Sequence, residues 1–295
     1  MSRAAKALSM GTSLGGAVAL GCVAYGVVEA HRYRLRTHRL PVLPPGARPL
    51  TVLQVSDTHL RCNQLRLAAF LASLSGQVFD LVFATGDLLG EPAVVERCAR
   101  LLGGIEARHG RYYVLGSSDY YAPRFKSYTR YFTRRRIAPT KANRTAEFLA
   151  LLESQGYEGL TNRTVRVDLD GTATQITGLD DPFLHRDDRR LLQRRPDAEF
   201  ALCVVHDPAP YLDIAKGGFD LAIAGHTHGG QVRLPLFGSV VTNSDLPNAL
   251  SMGAHWVGET LLFVTPGLGT GKFGPFRFLA PPEASVLELV PRGQG

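Results

Sequence analysis

The sequence predicts a mixed α/β domain built on buried strands. Strand-length runs such as "LTVLQVS", "FDLVFAT", "FALCVVH" and "DLAIAGH" are apolar on both faces, and amphipathic helical patterns separate several of them. A third observation points to chemistry. Five segments at or just past strand ends carry Asp or His, and ligands bind outside the carboxyl ends of strands in open α/β sheets.

The elements follow in order. An uncharged run, Ala7 to Val28, is rich in Ala, Gly, Val and Leu. At about 1.5 Å per residue it is long enough to cross a hydrocarbon core of roughly 30 Å. As a signal peptide it would be cut after Val28-Glu29-Ala30; as an anchor it continues into the basic run His31–Arg39. Its length favours the anchor. Residues 1–30 are thus read as a membrane anchor or signal segment, 31–48 as a basic, Pro-rich linker ("LPVLPPGARP"), and 49–291 as the globular domain. Lys and Arg flank the run on both sides, and the slight excess after it favours a membrane-held protein with a cytoplasmic domain.

Within the domain, "LTVLQVS" reads as a strand and "NQLRLAAFLASLSG" as a helix stopped by Gly76. "FDLVFAT", the helix "AVVERCARLLGG" and the strand "RYYVLG" repeat the pattern. "TAEFLALLESQG" is a helix, and "TVRVDLDGTATQITG" a hairpin turning at Asp170-Gly171. "FALCVVH" and "DLAIAGH" are two more buried strands, with shorter ones around "TLLFVTPG" and "ASVLELV".

Charge is local. Of the net +7, residues 1–39 carry +5 and residues 124–144 carry +8, which leaves −6 on everything else. A domain that is acidic outside one basic stretch argues against nucleic acid as a partner. Cys62, Cys98 and Cys203 show no paired spacing, so neither a disulfide framework nor a CxxC zinc site is indicated.

The strand-end segments are "VSDTH" (Asp57, His59), "ATGD" (Asp87), "LGSSD" (Asp119), "VVH" (His206) and "AGHTHGGQ" (His226, His228). Each has an ordinary reading. Asp-Thr-His and Thr-Gly-Asp are common turns, and His206 could precede a helix capped by Asp207. Gly-His-Thr-His-Gly-Gly is different, because paired imidazoles flanked by glycines are unusual in a core strand and neutral imidazole is a common transition-metal ligand. Residues two apart in extended chain face the same way, so Asp57 with His59, and His226 with His228, can each address one site.

In this order the segments resemble the signature of the calcineurin-like metallophosphoesterase superfamily: D-x-H, GD, GNH-D/E, a lone H, then GHxH. The likeness spans most of residues 50–290. "GHTHGGQ", "GLDDP" and the tail "GLGTGKFGPFRFLAPPEASVLEL" are similar to the bacterial branch with an N-terminal membrane segment. The resemblance implies a four-layer αββα sandwich of mixed sheets and hydrolysis of a phosphodiester, pyrophosphate or phosphomonoester. It implies two divalent metal ions, with Asp57, His59 and His228 on the first, Asp87 bridging, and His206 and His226 on the second. A metal-bridging hydroxide would then attack phosphorus. Mixed His/Asp ligation suits Mn, Fe or Zn.

One segment departs from the signature. The family's Asn, a second-metal ligand, falls on Ser117, and its His, which assists the leaving group, falls on Ser118. Asp87, Ser118 and Asp119 are the catalytic candidates, and Ser117 is a poor replacement ligand. Losing an acid-capable group costs about 10²–10⁴-fold for a poor leaving group, which points to a substrate with a good one. The rival expectation is a membrane-tethered domain that binds a phosphorylated ligand with little or no turnover. Tyr120, with Arg124 and Lys126 in the basic stretch, are candidates for contact with a phosphorylated small-molecule or lipid-linked substrate. "GLGTGK" is not a P-loop, since Pro266 occupies the first Gly position and Phe273 replaces the Ser/Thr. A glycine-rich loop near the metal site is expected there instead.

Overall fold

A computed structural model describes residues 20–122, 141–271 and 274–293. Two six-stranded sheets face each other. The first has the order β1-β14-β2-β3-β4-β5, from β1 (Arg34–Leu43), β2 (Leu50–Val55), β3 (Val78–Thr85), β4 (Glu106–Val114), β5 (Glu158–Gly159) and β14 (Glu283–Pro291). The second has the order β12-β13-β9-β8-β7-β6, from β6 (Arg163–Leu169), β7 (Thr172–Gly178), β8 (Phe200–Val204), β9 (Leu221–Ala224), β12 (Gly253–Val257) and β13 (Thr260–Val264). A small hairpin, β10 (Arg233–Leu234) with β11 (Gly238–Ser239), stands apart. The central strands β2, β3 and β4 run parallel, as do β7, β8, β9 and β13, so both sheets are mixed.

Three apolar layers hold this together. Leu81, Phe83, Leu202, Ile223 and Phe263 belong to a fully buried cluster between the sheets. Outside the first sheet, α1 (Leu65–Ala72), α2 (Val95–Gly103) and α4 (Thr145–Ser154) contribute Leu67, Leu71, Cys98 and Phe148 to a second cluster. Outside the second, α5 (Tyr211–Lys216) contributes Ile214 to a third, with Cys203, Phe219 and Val264. Strands covered on both faces explain the unbroken apolar runs. The hairpin turns where expected, with Asp170 and Gly171 both at positive φ, 52° and 90°, as a tight two-residue turn requires.

Two boundaries differ from the sequence reading. In the stretch read as a linker, Arg34–Leu43 forms β1, an edge strand parallel to β14 that buries Leu40, Val42 and Leu43. Its basic residues and Pro41 suit an edge, where one side has no strand partner, and for that reason they imitate a linker. β4 also begins earlier, because its polar first half, Glu106–Gly110, is partly open to solvent.

The structure is helical over residues 20–29, the end of the apolar run; the first part of that run lies outside the described residues. Among the described residues, no helix is long and apolar enough to cross a membrane. Leu20, Val23, Tyr25, Val27 and Val28 are exposed, though the Tyr25 ring packs edge-on against Phe278 and the Glu29 carboxylate accepts the Ala280 N–H.

Candidate metal centre

Every site residue singled out above that the structure describes sits just past the carboxyl end of a strand. β2 leads to Asp57 and His59, β3 to Asp87, β4 to Ser117–Asp119, β8 to His206, and β9 to His226 and His228. These strands come from both sheets, so the site lies along one shared edge of the sandwich. Five of the six His and Asp ligand candidates have left-handed backbone: Asp57 (φ 51°), His59 (39°), Asp87 (50°), His226 (68°) and His228 (50°). Such a conformation is uncommon outside glycine, and its concentration here marks a functional site.

The side chains converge as two groups, Asp57/His59/His228 and Asp87/His206/His226, each with ligand atoms within 4.8 Å of one another. In the first, His59 Nε2 lies 3.2 Å from His228 Nε2, and His228 Nε2 lies 3.7 Å from Asp57 Oδ1. In the second, His206 Nε2 lies 3.3 Å from His226 Nδ1. Asp87 Oδ2 is 3.5 Å from His59 Nε2 and 3.5 Å from His206 Nε2, equidistant between the groups.

These spacings fit metal ions. With metal–ligand bonds of roughly 2.0–2.2 Å, ligand atoms at right to tetrahedral angles stand about 2.8–3.6 Å apart. The tautomers agree. His206 Nδ1 donates to the Thr85 carbonyl (2.7 Å) and His226 Nε2 to the Asn243 carbonyl (3.2 Å). In neutral rings this leaves His206 Nε2 and His226 Nδ1 as facing lone pairs, an arrangement that a cation between them resolves. Asp181 and Asp207, both fully buried, each have one carboxylate oxygen without a hydrogen-bond partner. Asp207 Oδ2 is 4.0 Å from His226 Nε2, so uncompensated negative charge borders the second group.

Charge links Asp87 to the second group. Burial alone would raise the Asp87 carboxyl, but the charge and hydrogen bond of His206, with His59 and His226, hold it well below the usual range. His206 is raised well above its ordinary value by Asp87, against the cost of burial. Burial lowers His59, and burial, His59 and Arg277 lower His228, so the first group keeps neutral imidazoles.

The deviant loop forms a one-turn helix, α3 (Ser117–Tyr120). Its contact with Asp87 comes from backbone: the Ser118 N–H donates to Asp87 Oδ1 at 2.7 Å. Gly116 is needed there, because a Cβ would stand 2.4 Å from that same oxygen. Asp119 is fully buried. Its Oδ1 accepts the Leu88 and Leu89 N–H groups (2.8 and 3.1 Å) and its Oδ2 the Gly116 N–H (3.0 Å). Ser117 is half-buried at the first turn. The Tyr120 hydroxyl donates to Asp180 (2.8 Å), while Arg186 lies over its ring and also binds Asp180. Arg124 and Lys126 lie outside the described residues.

The glycine-rich loop lies against the first group, as expected. Leu268 and Gly269 N–H groups donate to the Ser56 and Asp57 carbonyls, and a Cβ at Gly269 would meet the Thr58 carbonyl at 2.2 Å. The sequence reading missed Arg277, Asp181 and Asp207 as neighbours of the site. Asp181 lay within "GLDDP", a segment noticed only as a likeness, and Arg277 has no spacing signal at all.

A family model described as "Calcineurin-like phosphoesterase" matches residues 50–230. The chain is 27% identical to the "Uncharacterized metallophosphoesterase YkuE" of Bacillus subtilis (strain 168), over 93% of this chain and 94% of that one. It is 24% identical to the "Uncharacterized metallophosphoesterase YkoQ" of the same organism, covering 76% and 78%. It is 26% identical to the "UDP-2,3-diacylglucosamine pyrophosphatase LpxG" of Chlamydia muridarum (strain MoPn / Nigg), covering 85% and 87%.

Proposed function

The chain belongs to the calcineurin-like phosphoesterase family, and on that premise we propose that it hydrolyses a phosphodiester or pyrophosphate, ahead of a phosphomonoester, in an envelope or lipid-linked substrate. Its class is a phosphoester hydrolase using two divalent metals. Asp57, His59 and His228 would hold one ion, His206 and His226 the other, with Asp87 shared. When bound, such ions polarise phosphate oxygens and acidify a water towards neutral pH. The donor set suits Mn, Fe or Zn.

The observation that carries the reading is the equidistance of Asp87 Oδ2 from the two histidine groups, 3.5 Å each way. A carboxylate so placed serves both ions, and the Ser118 N–H fixes its other oxygen. Asp119, engaged by three backbone N–H groups, holds the loop that carries Ser117 and Ser118. In this reading it acts by position and does not transfer protons.

Substrate preference follows from what that loop lacks. Ser117 and Ser118 supply hydroxyls where the family signature has an amide and an imidazole, so neither position offers an imidazole to protonate a poor leaving group. A phosphate anhydride or an activated diester leaves without such help. The likeness to a protein named as a UDP-2,3-diacylglucosamine pyrophosphatase supports the same class. Tethering through the 7–28 run completes the proposal, supported by the exposed Leu20, Val23, Val27 and Val28, with the domain placed on the cytoplasmic side by the slight Lys and Arg excess after the run. Recovery of the intact chain in the soluble fraction after cell lysis would remove that part.

The substrate preference is tested with aryl phosphodiesters in Mn²⁺. Rates should fall steeply as leaving-group pKa rises, and a flat dependence would overturn it. Arg124 and Lys126 belong to the proposal as contacts for a second phosphoryl group. Charge-reversing either should raise KM for a pyrophosphate more than for a simple diester, and an equal effect on both would remove them.

A further inference from the structure

Among the described residues Arg277 is the largest fully buried side chain, and it is a cation. Burying a guanidinium is costly unless every donor is satisfied. Here its acceptors are backbone carbonyls, those of the 266–269 turn and of Ala280, with no carboxylate among them. Nε donates to the Gly269 carbonyl (3.1 Å) and Nη1 to that of Ala280 (3.0 Å). Nη2 donates to Pro266 (2.7 Å), Gly267 (3.1 Å) and Gly269 (2.6 Å), and lies 3.3 Å from His228 Nδ1.

Those partners are the inner wall of the first metal group. Gly267 and Gly269 sit against Asp57 and Thr58 so closely that a Cβ on either would approach within 2.6 Å or less. The Gly269 N–H donates to the Asp57 carbonyl. One guanidinium therefore fastens the loop that backs Asp57 and touches the ring of His228. A planar fork with five donors can do this, whereas an ammonium has three on one atom.

We propose that Arg277 is a positioning residue of the first metal group, holding the 266–269 loop that backs Asp57 in the geometry that lets Asp57, His59 and His228 share one divalent ion. The inference rests on the two-metal reading above. Removing the groups that hold a metal ligand in place costs about 10–100-fold in metal affinity.

The test is Mn²⁺ titration of the full chain followed by calorimetry and electron paramagnetic resonance, on wild type, Arg277→Lys and Arg277→Met. Wild type should bind two ions with a spin-coupled signal. Arg277→Met should bind one ion at unchanged affinity and the other about 10–100-fold more weakly, with the coupled signal replaced by that of isolated Mn²⁺. Arg277→Lys should fall between the two. If Arg277→Met does not fold, Arg277→Lys alone carries the test, and wild-type affinity at both sites would overturn the proposal. Equal weakening of both sites would also overturn it, since that is what general loss of structure produces. If wild type binds fewer than two ions, the two-metal reading fails instead, and the outcomes are thereby distinguished.

Discussion

Asp87→Asn separates the shared carboxylate from everything else in the site. The amide oxygen can keep the Ser118 N–H that Oδ1 now accepts at 2.7 Å, so the loop after β4 retains its anchor. What changes is Oδ2, which becomes an NH₂ aimed at His59 Nε2 and His206 Nε2, each 3.5 Å away. For unit charges at that separation and an effective dielectric of about 20, Coulomb's law gives roughly 4–5 kcal/mol for the Asp87–His206 contact. That contact alone, at about 1.4 kcal/mol per decade, corresponds to about three decades. Metal content by mass spectrometry should fall below two ions per chain, and kcat/KM for a chromogenic phosphodiester in Mn²⁺ should drop about 10³-fold or more. A folded variant that keeps both ions and more than about a tenth of the activity would refute the assignment of Asp87 as the shared ligand.

Other consequences are open to the same kind of measurement. Ser117→Asn restores the amide found in the family signature, and should tighten binding of the weaker ion about tenfold or more in a Mn²⁺ titration; unchanged affinity would show that α3 does not reach the second group. Phe83→Ala, which empties a fully buried position between the sheets, should cost about 3–5 kcal/mol in urea unfolding. Asp80 accepts the Thr51 N–H (2.7 Å), the Thr51 hydroxyl (2.8 Å) and Arg108 (2.8 Å), which outweigh the cost of burial and hold its carboxyl below the usual value. A depressed carboxyl contributes stability that is fully present above the unfolded-state pKa of about 4 and is lost as pH falls through the folded value. Asp80→Asn should therefore destabilise the protein by about 1–3 kcal/mol at pH 7 and flatten the acid limb of its stability profile.

Much of the site was legible because metal ligation by strand-end residues leaves a linear trace. Asp57, His59, Asp87, His206, His226 and His228 each follow a strand whose apolar run is visible, and their order matches that of one family. The Ser117-Ser118 departure was visible too. What it meant was not, because the loop meets Asp87 through a backbone N–H and every residue type except proline carries one. Asp119 was placed among the catalytic candidates from its motif position, yet hydrogen bonds from residues 30 and 31 positions distant define its surroundings. The edge strand β1 was hidden by its own edge chemistry, since Arg34, Arg36 and Arg39 read as a basic linker until β14 pairs with them.

By itself the sequence determined the residue types of the two metal groups, the alternating α/β pattern and the phosphoesterase family, because each depends on local periodicity or on an ordered set of short motifs. Only the tertiary structure decided that Asp87 stands midway between two histidine groups, that Asp181 and Asp207 border the second, and that a buried arginine from the tail backs the first. Such neighbours are far apart in the chain, as His59 and His228 are at 169 positions, and meet only because two sheets bring their carboxyl ends to one edge. No pattern in a linear chain encodes that convergence until the layers pack.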